Sequence, residues 1–118
     1  MIPSEYVKAA LRTESPRTFA VNPRILHGVI GISTEAGEML SNLKKALFYG
    51  NQVNINNLKE ELGDVLWYIA LLSDELDISI ETLMDQNIRK LKARYPEKFS
   101  MEASDSRDYQ QEAEAAGL

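Results

Sequence analysis

The 118-residue chain has no cysteine, one histidine and one tryptophan. Without cysteine there can be no disulfide, no thiolate zinc site and no cysteine nucleophile, so a bound metal must be held by oxygen ligands or by His27. Positive charge is also in short supply, with 13 Lys and Arg against 18 Asp and Glu and a formal net charge of −5. Proteins that bind along a nucleic-acid backbone need the opposite balance, so no nucleic-acid polymer is expected as a partner. Long apolar runs are missing as well: the longest, Val65 to Leu72, is eight residues, whereas a membrane span needs about 20. Met1 to Leu11 lacks the basic start and apolar run of a secretory signal. The expectation is a cytoplasmic protein with no membrane partner. What remains, 44% hydrophobic and 26% charged residues, suits one globular domain with a modest core.

Apolar residues recur with helical spacing almost throughout, and no stretch alternates with period two for long enough to form a strand. The spacing predicts a short first helix over Pro3 to Arg12 and a connector over Thr13 to Asn22. Asn22 followed by Pro23 reads as a cap and first helical residue of a second helix that runs to about Phe48, with Gly50 closing it. After an Asn-rich turn, Asn56 or Asn57 is expected to cap a third helix ending near Leu76; Ser79 caps a fourth, which must stop before Pro96. From Glu102 to Leu118 the composition turns polar and acidic, with Tyr109 the one large apolar side chain before Leu118. The expected architecture is all-α, a compact antiparallel bundle of four main helices over residues 1–101. Residues 102–118 would form an acidic tail, weakly ordered or in contact with another subunit, that adds little to the core.

On the second helix, Ile25, Val29, Ile32, Ala36, Leu40, Leu43 and Leu47 form an apolar stripe, while Glu35 and Glu38 sit one turn apart on another face. The third helix repeats this with Leu58, Leu62, Val65, Ile69, Leu72 and Leu76 as the stripe and Glu61, Asp64 and Tyr68 on another face. Antiparallel packing would let four carboxylates converge. That raises their pKa values and costs stability unless a cation sits among them, and a hard divalent ion such as Mg²⁺ takes oxygen ligands alone. Either acidic pair by itself reads more readily as a solvated helix face; two matched pairs on consecutive helices bring the ligand reading level with it. Gly63, inside the second pair, suggests a close approach, because glycine within a helix costs about 1 kcal/mol relative to alanine; Gly31 and Gly37 raise the same question. On the fourth helix Asn87, Lys90 and Arg94 share a face, and an amide with two cations suits a polyphosphate. Taken alone, however, basic residues at a helix C-terminus are also explained by its dipole.

These residues resemble a known family. LHGVIGISTEAGEML on the second helix and LKEELGDVLWYIALL on the third, 22 residues apart between Glu38 and Glu61, resemble the Glu-x-x-Glu then Glu-x-x-Asp signature of the MazG-like all-α nucleoside triphosphate pyrophosphohydrolases. NIRKLKARYPEKF resembles the end of the same domain in short, single-domain bacterial and phage members. The resemblance implies Mg²⁺-dependent hydrolysis between the α and β phosphates, giving a monophosphate and pyrophosphate in nucleotide-pool housecleaning, with Mn²⁺ a possible substitute ion. It implies Glu35, Glu38, Glu61 and Asp64 as metal ligands and catalytic carboxylates, with Glu38 or Glu35 accepting the water proton. Asn87 and Lys90 would meet phosphate or sugar, and Tyr68 sugar or base; Arg94, Lys45 and His27 are further candidates for substrate contact, each with a structural alternative. Trp67, opposite the third helix's stripe, reads as an interface residue, and the family points to a homodimer or homotetramer.

Two other readings compete. A ferritin-like di-iron site needs Glu-x-x-His pairs, but His27 has Arg24 three residues before it, which disfavours it. A non-catalytic helical interaction module with solvated acidic faces would show no saturable divalent-ion binding. Charge distribution does not exclude a nucleotide ligand: residues 102–118 hold five acids and one arginine, leaving a net −1 on residues 1–101. Without the four candidate ligands that body is +3.

Overall fold

The computed structural model describes residues 1–17 and 20–118. The expected connector over Thr13 to Asn22 includes Thr18 and Phe19, which lie outside the described residues. All regular structure among the described residues is helical: α1 (Pro3–Leu11), α2 (Pro23–Phe48), α3 (Ile55–Glu75), α4 (Ile80–Arg94), α5 (Met101–Asp105) and α6 (Tyr109–Ala116). No helix is long and apolar enough to cross a membrane, among the described residues.

The helix starts follow local chemistry. Asn22 Oδ1 accepts from the Arg24 and Ile25 amides at 2.8 and 3.3 Å, with Pro23 in the first position, where its missing N–H is not needed. Ser79 Oγ accepts from the Thr82 amide at 3.1 Å. Gly50, at φ 72°, turns the chain out of α2. One cap differs from expectation: Asn54, not Asn56 or Asn57, opens α3, its Oδ1 accepting from the Asn57 amide at 3.0 Å. The Asn57 side chain is used elsewhere, as described below.

Two helix pairs carry the packing, α2 with α3 and α4 with α6. At one end of the first pair Arg24 forms ion pairs with Asp74, at 2.7 Å, and with Glu75. At the other end Asn42, near the end of α2, bonds to Asn54 and Asn57 at the start of α3. The two helices therefore run antiparallel. Between these ties the backbones come close because α2 has no side chain at Gly28 and Gly31. A Cβ at Gly28 would lie 2.5 Å from Leu72 Cγ, and one at Gly31 would lie 2.1 Å from Tyr68 Cε1. Gly37 and Gly63 have nothing within 4 Å of a Cβ, so among the described residues no group makes the close approach expected at them.

The all-α class is as expected, but the four main helices do not close into one compact bundle. The radius of gyration is 20.0 Å, with extents of 54 × 42 × 36 Å, against about 13.5 Å for a compact chain of this length. The apolar stripes explain the difference. Val29, Leu40 and Leu47 on α2, Leu62 and Leu76 on α3, and Ile80, Met84 and Ile88 on α4 are all exposed. The seam between α2 and α3 instead follows Gly28, Gly31, Glu35 and Asn42 against Glu61, Tyr68 and Leu72.

The acidic tail, expected to be weakly ordered or in contact with another subunit, is helical and packs on the chain itself. Residues 101–116 form α5 and α6, and α6 docks on α4 with Ala116 only 1% exposed. Glu112, 3% exposed, accepts from Arg94 Nε and Nη2, both at 2.8 Å, and from Arg107 Nε and Nη2 at 3.1 and 2.7 Å. The two guanidiniums, Arg94 first, hold its carboxyl well below the usual carboxylate range. A composition read as solvated thus contains a buried, fully bonded carboxylate.

Candidate metal centre

Glu35 on α2 and Glu61 and Asp64 on α3 each offer a carboxylate oxygen, all within 4.8 Å of one another. The i, i+3 spacing of Glu61 and Asp64 places both on one turn of α3, and the antiparallel seam brings Glu35 opposite them. Glu35 and Glu61 are half-buried and Asp64 is exposed. Glu35 holds its proton above the ordinary glutamate range. The first cause is a hydrogen bond to the Glu61 carboxylate, then burial, then the charges of Glu61, Asp64 and Glu38. The crowded carboxylates thus favour the protonated form of Glu35. A divalent cation fits the same position: the donors are all carboxylate oxygens, the set that hard cations take.

Glu38 stands outside this tight group. Position 38 lies 300° on from position 35 at 100° per residue, so its side chain projects about 60° round the helix. It is exposed, and it lines a cavity of about 540 Å³ with Ser41, Asn42, Lys45, Asn51 and Gln52. Lys45 therefore shares a cavity with Glu38. On the other side of the centre, His27, Trp67 and Tyr68 line a cavity of about 410 Å³ with Glu35 and Asp64. Their rings meet edge to face, with centroids at 5.5 Å (His27 and Tyr68), 6.0 Å (His27 and Trp67) and 5.1 Å (Trp67 and Tyr68).

Helix α4 does not bring its candidates to the carboxylates. It packs on α6, so Asn87 and Lys90 lie on a different helix pair from the acids. Arg94, expected to face substrate, is instead committed to Glu112 through both nitrogens of its fork.

Three residues at the centre were not among the expected site residues, although Trp67 was expected at an interface and Asn57 as a cap. Trp67 is one turn beyond Asp64 and beside Tyr68, and that spacing was the available signal. Asn57 is one turn before Glu61, and its Nδ2 donates to Glu61 Oε1 at 2.7 Å. Asn42, buried within the seam, carries no comparable local signal because its partners are on another helix.

Comparison with known proteins bears on this stretch. The Gene 37 protein of Mycobacterium phage L5 is similar to this chain, 39% identical over an alignment of 69 residues that covers 55% of this chain and 60% of that protein. The chain thus spans less than two thirds of that relative's length. No solved structure matches it. A family model described as the MazG nucleotide pyrophosphohydrolase domain matches residues 29–99, which include all four acids and the Asn87 to Phe99 segment and exclude His27 and the docked tail. With that match covering more than half of its length and running through the carboxylate centre, the chain belongs to the MazG nucleotide pyrophosphohydrolase domain family.

Proposed function

We propose that this protein hydrolyses nucleoside triphosphates, deoxynucleotides among them, between the α and β phosphates, releasing a monophosphate and pyrophosphate with Mg²⁺ as cofactor. The reading rests on one observation above all: carboxylate oxygens of Glu35, Glu61 and Asp64 within 4.8 Å of one another, inside the stretch that matches the family. Glu35, Glu61 and Asp64 would hold the ion, with Glu38 alongside. Mg²⁺, with Mn²⁺ as substitute, would supply polarisation of the phosphate and a more acidic bound water.

The remaining roles belong to the chain itself. Glu38, exposed and outside the tight set, is free to accept the proton of the attacking water at a carboxylate oxygen. Lys45, which lines the same amide-rich cavity as Glu38, would meet phosphate charge. The His27, Trp67 and Tyr68 rings beside Glu35 and Asp64 offer apolar faces to sugar and base. Asn87 and Lys90 would come from a second copy, because α4 of the same chain lies elsewhere. The exposed stripes on α2, α3 and α4 favour that association as a dimer or a tetramer of dimers. Housecleaning of the nucleotide pool is the role this chemistry suits.

A panel of nucleoside triphosphates with Mg²⁺ and pyrophosphate detection tests the proposal. Pyrophosphate with stoichiometric monophosphate is expected, and Asp64→Ala should abolish it. Release of orthophosphate alone, or of neither product, overturns the assignment and leaves the non-catalytic helical module as the better reading.

A further inference from the structure

The acidic centre is joined to two amides, Asn42 buried and Asn57 half-buried, whose hydrogen bonds have only one possible direction. Asn42, 7% exposed, accepts at Oδ1 from the Asn54 amide at 2.9 Å and donates from Nδ2 to the Asn54 carbonyl at 2.8 Å. A backbone N–H can only donate and a carbonyl can only accept, so these two bonds fix which way the Asn42 amide faces. Its Nδ2 also donates to Asn57 Oδ1 at 2.9 Å. That bond fixes the Asn57 amide in turn, with its oxygen toward Asn42 and its Nδ2 toward Glu61 Oε1, 2.7 Å away. The order Asn54 backbone, Asn42, Asn57, Glu61 therefore presents an obligatory donor to one oxygen of a carboxylate in the acidic centre.

We infer that Asn57, held by Asn42, is a positioning residue that orients the Glu61 carboxylate for a divalent cation. The donated bond engages one side of Oε1 and stops the carboxylate from rotating. Partners that orient a metal-binding carboxylate in this way typically change metal affinity by about 10- to 100-fold when removed. The two asparagines also tie α2 to α3 beside the centre, so the same bonds that set the seam set the ligand. This inference rests on the reading of Glu35, Glu61 and Asp64 as a cation site.

Two neighbouring substitutions separate positioning from mere stability. Asn57→Leu keeps the side chain's shape and the backbone N–H that Asn54 caps, but removes the donor to Glu61. Asn54→Ala removes the cap and leaves both backbone contacts of Asn42 and the Asn57 to Glu61 bond. Mn²⁺ dissociation constants would be measured on the full chain by electron paramagnetic resonance, with melting temperatures of the metal-free proteins alongside. Asn57→Leu should weaken Mn²⁺ at least about tenfold, whereas Asn54→Ala should lower the melting temperature and leave Mn²⁺ affinity within twofold. If Asn57→Leu fails to fold, Asn42→Asp substitutes: it puts an acceptor against Asn57 Oδ1, reverses the amide and should weaken Mn²⁺ by a similar factor. Saturable Mn²⁺ binding by the unmodified protein with affinity unchanged in both Asn57→Leu and Asn42→Asp overturns the positioning role alone. No saturable binding by the unmodified protein overturns the cation site and this inference together.

Discussion

Gly31→Ala isolates what the close approach of α2 and α3 contributes. Added at residue 31, a Cβ would lie 2.1 Å from Tyr68 Cε1 and 2.3 Å from its Cδ1 and Cζ. Carbon atoms in contact sit about 3.5 to 4.0 Å apart, so the ring or the helix must retreat by roughly 1.5 Å. The ring has little freedom to do so alone, with His27 and Trp67 packed edge to face against it. Overpacking of this kind costs about 1 to 3 kcal/mol, offset by about 1 kcal/mol from replacing glycine inside a helix. Gly37→Ala, on the same helix with nothing within 4 Å of the new Cβ, gains the helix contribution without the clash. That contribution is common to both variants and cancels, leaving Gly31→Ala less stable by about 1 to 3 kcal/mol, a gap of roughly 4 to 12 °C in melting temperature. Urea and thermal unfolding of both variants in a chelator measure it. Because Glu35 is one turn beyond Gly31, the widened seam should also weaken Mn²⁺ binding in Gly31→Ala. A Gly31→Ala protein as stable as Gly37→Ala would refute the packing derived for the seam.

Three further outcomes are expected. Glu112, whose carboxyl is held low by Arg94 and Arg107, contributes stability that is present above the ordinary glutamate pKa of about 4.3 and is lost as pH falls below it; hydrogen exchange should show α6 opening from α4 on acidification, and Glu112→Gln should open it already at neutral pH. Glu35 is shifted the other way, so its contribution is complete below the ordinary glutamate range and is lost as pH rises through its folded value; the metal-free melting temperature should fall over that rise, less so in Glu35→Gln, and saturating Mg²⁺ should remove the fall. Trp67 is the sole tryptophan and lines the cavity beside Asp64, so a nucleoside monophosphate with Mg²⁺ should change its emission saturably, and an unchanged spectrum at saturation would remove the ring from the nucleotide site.

How far the sequence carried depended on whether the deciding contact was local. Asn22 and Ser79 were legible as caps because each bonds amides two or three residues on. Asn54 was not, because several asparagines lie side by side and the choice among them is made by Asn42, twelve residues back on another helix. The convergence of Glu35, Glu61 and Asp64 followed from i, i+3 spacing on two antiparallel helices. Glu38's place outside it depends on how α2 is rotated about its axis, and that is set by Gly28 and Gly31 against Leu72 and Tyr68. Apolar periodicity identified the stripes as faces but not the whole seam, since beside Leu72 the seam is made of glycine, aromatic, carboxylate and amide groups. In the tail, a polar composition concealed Glu112, whose burial depends on Arg94, eighteen residues back on α4, and on Arg107, five residues back.

The order of groups along the α2 and α3 seam links stability to the proposed activity. Its outer end is an ion pair between Arg24 and the acids Asp74 and Glu75; next come two glycine contacts against Leu72 and Tyr68, then the crowded carboxylates, then the Asn42 and Asn57 amides. Only the carboxylate segment is repulsive, and it lies between segments that hold the helices together. The close approach at Gly28 and Gly31 and the amide tie at Asn42 therefore impose on Glu35 and Glu61 a proximity they would not adopt alone. A cation bound across that segment would add its binding free energy directly to the association of the two helices, because both helices supply its ligands. Loosening either flank should then cost metal affinity even where no ligand is touched. Conversely, removing the charge of Glu35 should strengthen the metal-free seam while weakening its hold on the ion, the exchange of stability for function expected where a local rule of folding is broken at a working site.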